Sequence, residues 1–237
     1  MAPRPRTIDD AGILEAAGRI IVRLGPGKFT LADVAAEVGL SAAALVRRFG
    51  SKRGLMLALA RSARDSVDAC FDMVRVSHRS PLASLLAAAT EMTRYVNSPE
   101  EMSNHLAFLQ TDLSDPDFYA VMLENARRIL DGYRRLLDEA VAARELVPCD
   151  TARLARAVDA VAGGSLIGWA VYRQGTAEAW VRHDLDTLLE PYRRKKMRAG
   201  SRVTAPIQRQ PLNAQTSPRL ALRASRRHDD RKTRRKK

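Results

Sequence analysis

The chain has 237 residues, 46% of them hydrophobic but only 5% aromatic, and carries a net charge of +13. Such a length holds a sizeable core in one or two domains, and the Ala-, Leu- and Val-rich composition points to a mostly helical protein. The opening MAPRPRTIDD lacks the apolar core of a signal peptide, and the uncharged run from Ala160 to Tyr172 is too short to span a bilayer, so a cytoplasmic protein is expected.

The charge is unevenly placed. Residues 1–64 hold 11 Lys/Arg against 5 acids, residues 65–191 hold 12 against 20, and residues 192–237 hold 17 against 2. A basic head and a very basic tail therefore flank an acidic middle, which makes the middle a poor candidate for a DNA-binding surface.

Residues 1–6 are Pro-broken and carry Arg4 and Arg6, which fits either a disordered start or an arm reaching DNA phosphates or the minor groove. Ile8 to Leu24 predicts a first helix, with Ile13, Ala17, Ile20, Ile21 and Leu24 on one face, broken by Gly25-Pro26-Gly27. Thr30 is placed to cap a second helix, with Asp33 suited to its positive end. Leu31, Val34, Ala35 and Val38 form its apolar face, and Gly39 stands where a positive φ ends it. Ser41 caps a third helix, and Leu40 before it can pack on Leu45. Leu45 and Phe49 face inward, which leaves Ala42, Ala43, Val46, Arg47 and Arg48 outward. Two short helices joined by a Gly turn make a helix-turn-helix, whose second helix enters the major groove, unless the pair is a plain helical hairpin.

A long helix from Lys52 to about His78 follows as a rigid bridge. Pro81 opens a helix to about Val96. Ser98-Pro99-Glu100-Glu101 opens one to about Asp112, and Asp115-Pro116-Asp117 one to about Ala143. Two more run from Thr151 to Gln174 and from Ala177 to Glu190. Nine helices and no strand make the fold class all-α. The helix from Thr151 has two apolar sides and carries Gly163, Gly164 and Gly168. Each Gly costs about 1 kcal/mol against Ala inside a helix, a cost that close approach of another helix usually offsets. That helix belongs either to an internal core or to a contact between subunits. From Tyr192 the composition turns to Arg, Lys, Gln, Ser and Pro, which predicts a disordered polycation attracted to DNA phosphates and lacking interleaved aromatics for stacking.

Catalytic signatures are missing. His78, His105, His183 and His228 stand in separate segments, and no phosphate-binding loop, zinc-protease motif or nucleophile elbow occurs. Neither an enzyme nor a metal or other cofactor is expected. Cys70 and Cys149 lack CxxC spacing and read as free thiols.

The residues Ile13, Ala16, Ala17, Gly25, Phe29-Thr30-Leu31, Val34-Ala35, Gly39-Leu40-Ser41, Leu45, Phe49, Ser51-Lys52 and Leu55 stand in one specific spacing over the first quarter of the chain. In that spacing the chain resembles the DNA-binding domain of the tetracycline-repressor (TetR) family. Two positions depart from the pattern: Val46 stands where the family usually has Tyr, and Arg53 where it has an acid. The resemblance implies a head at 7–64, a helical ligand-binding and dimerisation domain at 65–191, and the basic tail at 192–237. It also implies a ligand-responsive repressor acting on a palindromic operator as a homodimer, its double-stranded DNA and small-molecule effector being the partners.

By the same resemblance Ala42, Ala43 and Val46 face base edges. Arg47, Arg48 and Lys52 reach phosphates, with Thr30 and Ser41 as further polar contacts. Since Ala and Val offer no hydrogen bonds, Arg47 is the candidate for direct base contact, to guanine, with DNA shape supplying further discrimination. Phe71, Met92, Leu106, Phe108, Met122 and Trp169 are candidates to line an effector pocket, although such stripes also build plain cores. The acidic middle favours a neutral or cationic effector. Gly164, Ile167, Gly168, Val171, Val181, Leu185 and Leu188 are the expected dimer interface. A reading from another class remains beside this one: a nucleoid-associated protein that works through its tail.

Overall fold

The computed structural model describes residues 8–194. The N-terminal arm at residues 1–6 and the tail beyond residue 194 lie outside the described residues; Tyr192, Arg193 and Arg194, which the sequence reading placed in the tail, pack against the loop after α7. Among the described residues nine α-helices follow in order: α1 (Asp10–Leu24), α2 (Leu31–Glu37), α3 (Ala42–Phe49), α4 (Lys52–Ser77), α5 (Pro81–Thr90), α6 (Pro99–Ser114), α7 (Pro116–Ala142), α8 (Thr151–Tyr172) and α9 (Ala177–Leu189). The only β-type pairing among the described residues is a single bridge, Leu146 with Arg193, which ties the loop after α7 to the end of α9.

The helix starts follow from local chemistry. Asp9, Ser41, Ser51, Ser80, Ser98, Asp115, Asp150 and Thr176 each accept a backbone N–H of the first turn they precede. α5 is shorter than its apolar run. The Thr90 hydroxyl donates back to the carbonyls of Leu86 and Ala87, and the Thr93 hydroxyl donates to that of Thr90. These side-chain bonds compete with the helix ladder, and the chain tightens into a 3-10 turn over Glu91–Tyr95. α8 ends two residues early because Arg173 adopts a left-handed φ of 54°.

Two cores form within one compact unit. The smaller gathers Ile13, Ala17, Ile20, Phe29, Val34, Leu45 and Leu55 from α1–α4, and it also includes Phe118 and Val121 of α7. Residues 7–64 therefore do not close this core by themselves. Fully burying a side chain such as Phe29 or Leu45 contributes about 1.5–3 kcal/mol. The larger core joins α4 to α9 around Phe71, Leu85, Tyr133, Leu137, Leu154, Val158, Leu166, Trp169, Val181 and Leu185. α4 crosses from one core to the other, spanning about 39 Å at 1.5 Å per residue. Arg64 and Asp68 of α4 pair with Glu124, Arg128 and Arg135 of α7 along the seam. Farther along, Gly132 lets α7 approach α4: a Cβ there would stand 2.5 Å from the Phe71 ring.

Candidate nucleic-acid interface

The turn between α2 and α3 is set by Gly39 at φ 68°. Leu40 N–H donates to Ala35 O at 2.8 Å and Gly39 N–H to Ala36 O at 3.4 Å, the paired bonds of a Schellman ending. At the other end of α2 the capping box is complete. Asp33 N–H donates to the Thr30 hydroxyl, while the Asp33 carboxylate accepts both the N–H and the hydroxyl of Thr30 at 2.7 and 2.8 Å. The Thr30 hydroxyl and backbone, aided by Arg23 and Lys52 nearby, hold the Asp33 carboxyl below its ordinary range. Both polar groups of Thr30 are thus engaged within the helix start.

α3 then presents its outer face. Leu45 is fully buried, whereas Val46 is 46% exposed. Ala43, Arg47 and Arg48 are exposed and Ala42 is half-buried. The Ser41 hydroxyl accepts from Ala44 N–H at 3.2 Å and keeps its own proton available for an outside acceptor.

The three cations differ in their commitments. Arg48 donates to Ile8 O at 2.9 Å and to Asp10 at 3.3 Å, which pins α3 to the start of α1. Lys52 donates to Gly27 O at 3.2 Å and sits 4.3 Å above the centre of the Phe29 ring, pinning α4 to the turn before α2. Arg47 makes no hydrogen bond or ion pair among the described residues. Of the three cations, only Arg47 is without a partner among the described residues.

Two residues to which the sequence reading gives no role, Gly54 and Arg53, set the pose of α3, the second of them marked there only as a departure from the family pattern. A Cβ on Gly54 would fall 2.0 Å from the carbonyl oxygen of Phe49, so only Gly lets α4 pack against the end of α3. Arg53 donates from Nε and Nη2 to both oxygens of Asp115 at 3.0 and 2.8 Å, and from Nη2 to Asp117 at 2.7 Å. One signal was present in the sequence: Lys52 and Arg53 put two cations, and no acid, in the first turn of α4, against its dipole.

Away from the head, the candidate effector residues do not share one cluster. Phe71 and Trp169 lie in the larger core, where Phe71 meets Tyr133 edge-on at 5.4 Å and Trp169 Nε1 donates to Gly175 O at 3.2 Å. Phe108 packs on the smaller core, 6.2 Å from Phe118. Met122 is half-buried and Leu106 is 37% exposed. The side chain of Met92 lies outside the described residues.

The expected dimer face divides as well. Gly164 is exposed, with nothing within 4 Å of a Cβ there, while Ile167 is 45% and Val171 71% exposed. Val181 and Leu185 are fully buried in the chain's own core and have no surface to offer a partner. Their i, i+4 spacing turns them toward α8 and α5, while His183 and Thr187 face out. Leu188 is half-buried. Gly168 admits Trp180 of the same chain at 3.2 Å, so its small size serves the α8–α9 contact.

Residues 13–59 match the family described as bacterial regulatory proteins of the tetR family. Over 161 residues the chain is 32% identical to the HTH-type transcriptional regulator BetI of Agrobacterium fabrum, covering 65% of this chain and 73% of that one. The chain belongs to the TetR family. It is a DNA-binding, helix-turn-helix transcriptional regulator. The fold agrees with solved structures. A TetR-family regulator from Agrobacterium tumefaciens matches with a TM-score of 0.62 and 21% identity, over 78% of this chain and 97% of the other. A transcriptional regulator from Saccharomonospora viridis, solved in complex with choline, matches with a TM-score of 0.60 and 21% identity, over 76% and 95%.

Proposed function

We propose that this TetR-family protein is a cytoplasmic, ligand-responsive repressor that binds a palindromic operator as a homodimer. The reading head is residues 7–64, with α3 as its recognition helix. Arg47 supplies the direct base contact, and Ala42, Ala43 and Val46 supply apolar contact with base edges and thymine methyls. Ser41 donates to a phosphate. Arg48 and Lys52 act first as braces of the head and reach phosphates only at its edge. The tail at 192–237 adds sequence-independent attraction that weakens with salt.

The observation that carries the dimer is the outer face of α8. Ala160, Gly164, Ile167 and Val171 fall at helical spacing on one exposed, apolar stripe. A second copy of α8 laid across it removes that stripe from water and uses the free space over Gly164. The expected interface is thus Gly164, Ile167, Val171 and the half-buried Leu188, without Val181 and Leu185. Sedimentation velocity tests it: wild type runs as a dimer, Ile167→Asp/Val171→Asp as a monomer with weakened operator binding. A monomeric wild type at micromolar concentration contradicts the reading.

The effector domain is residues 65–191, and its unpaired groups favour a neutral or cationic effector. Among the described residues, the half-buried Asp112 has no ion-pair partner, the Tyr133 hydroxyl has no hydrogen bond, and Asn125 Oδ1 is buried without a donor. Burial pushes Asp112 up to about 6. Unpaired acceptors in a poorly hydrated surrounding suit a ligand that brings donors or positive charge. A thermal-shift screen of small organic amines and quaternary ammonium ions, choline among them, checks this. A stabilising compound must also weaken operator binding; one that binds without that effect contradicts the regulatory reading.

A further inference from the structure

We propose that Arg53, Asp115 and Asp117 form a latch that positions the recognition helix for DNA, with Asn104 as its second point. The latch joins the first turn of α4 to the α6–α7 corner.

The first turn of α4 is held on three sides. Gly54 rests on the last carbonyl of α3, Lys52 reaches back to Gly27 and Phe29, and Arg53 reaches across to Asp115 and Asp117. Whatever fixes this turn fixes the end of α3, because the backbone contact at Gly54 leaves no slack between the two helices. Arg53 occupies a position that costs local energy, a cation at the positive end of a helix dipole. Its partners remove the conflict. Asp115 caps α7 by accepting Asp117 N–H at 3.0 Å, and its two oxygens take the guanidinium as a fork. The guanidinium also lies 5.6 Å above the Phe118 ring, the side chain that α7 inserts into the smaller core. A residue that conflicts with its own helix and agrees with a distant pair marks a constraint imposed by tertiary structure.

Asn104 makes the second joint. Its amide donates to Val22 O at 2.8 Å and Arg23 O at 3.1 Å, carbonyls that the end of α1 leaves open. Its side chain packs on Gly25, where a Cβ would come within 2.6 Å of the Asn104 oxygen. Thus α6 touches the head through its middle, at α1, and the corner after α6 touches it again, at α4.

The alternative role for Arg53 is a phosphate contact that the two acids merely restrain. Charge and position make opposite demands here, and that separates them. Removing the two acids makes the protein more positive, which by itself strengthens binding to any DNA. Loosening the head weakens binding to the preferred sequence. The test uses the full chain, a duplex that wild type selects from a randomised pool, and a scrambled duplex of equal length. Asp115→Asn/Asp117→Asn keeps the helix cap, since Asn caps as well as Asp. The expected result is a loss of about three- to five-fold on the selected duplex, the range of an exposed ion-pair network, with equal or tighter binding to the scrambled one. Arg53→Lys, which keeps charge but loses the fork, and Asn104→Ala are expected to lower the same ratio while their melting temperatures show a folded protein. Unchanged or stronger binding of the double variant to both duplexes overturns the proposal and makes Arg53 a restrained phosphate contact. Should wild type select no sequence at all, the operator reading fails instead, and the two failures are told apart.

Discussion

Arg47 stands apart from its neighbours by what it does not do: Arg48 and Lys52 are spent on holding α3 and α4 to the rest of the head, and Arg47 is not. Arg47→Ala is therefore expected to cost about 1–3 kcal/mol on the selected duplex, the value of a bidentate base contact, and much less on scrambled DNA. Binding isotherms on the two duplexes check it; equal losses assign Arg47 to phosphate. Arg48→Ala is expected to lower stability, since it removes the bond to Ile8 O and the pair with Asp10. Asp112 gives a prediction in pH. Its pKa rises from 3.8 in the open chain to about 6 in the folded protein because burial disfavours its charge. The folded form then holds this proton more tightly, so the favourable contribution is present below about pH 4 and is lost as pH climbs through 6. Asp112→Asn is expected to raise the melting temperature at pH 7.5 and to change it little at pH 4. An equal shift at both pH values contradicts the desolvation account.

At the scale of elements, the helix starts and the head were legible in the sequence because their signals are local. The Thr30–Asp33 capping box, Gly39 at positive φ, the Ser41 cap and the Pro-opened α5, α6 and α7 all depend on residues within one turn. What the sequence did not disclose depends on distance. Gly54 looked like an ordinary early helix position, and only the carbonyl of Phe49 beside it shows why no side chain fits. Periodicity marks Val181 and Leu185 as part of an apolar face and does not say what covers it, which here is the chain's own core. Gly54→Ala must part α3 from α4. It is expected to cost toward the upper end of the ~1–3 kcal/mol typical of overpacking and to reduce DNA binding further than stability alone explains. Gly132→Ala, against the Phe71 ring, is expected to cost a similar amount with less effect on DNA affinity per degree of lost melting temperature. Thermal melts paired with DNA titrations separate the two.

For the whole molecule, the charge map and the packing divide the labour. The smaller core takes Phe118 and Val121 from α7, so the reading head is completed by the body that carries it. A fragment of residues 7–64 leaves that apolar surface uncovered and is expected to be less stable than the head within the full chain, as hydrogen exchange on α1 would show. The family could be read from the first quarter of the chain because its residues pack against one another. The candidate effector residues share no such local packing, since Phe71 and Trp169 enter one core and Phe108 the other. The exposed stripe of α8 and the head on α3 together make one central claim: a two-fold dimer that reads a specific DNA sequence. Selection from a randomised duplex pool with the full chain, followed by footprinting of the winners, tests it most directly. Two α3 helices in one dimer require an enriched sequence with inverted half-sites and a protected region centred on its two-fold axis. Recovery of duplexes with no shared motif, or of a single unsymmetrical half-site, contradicts it.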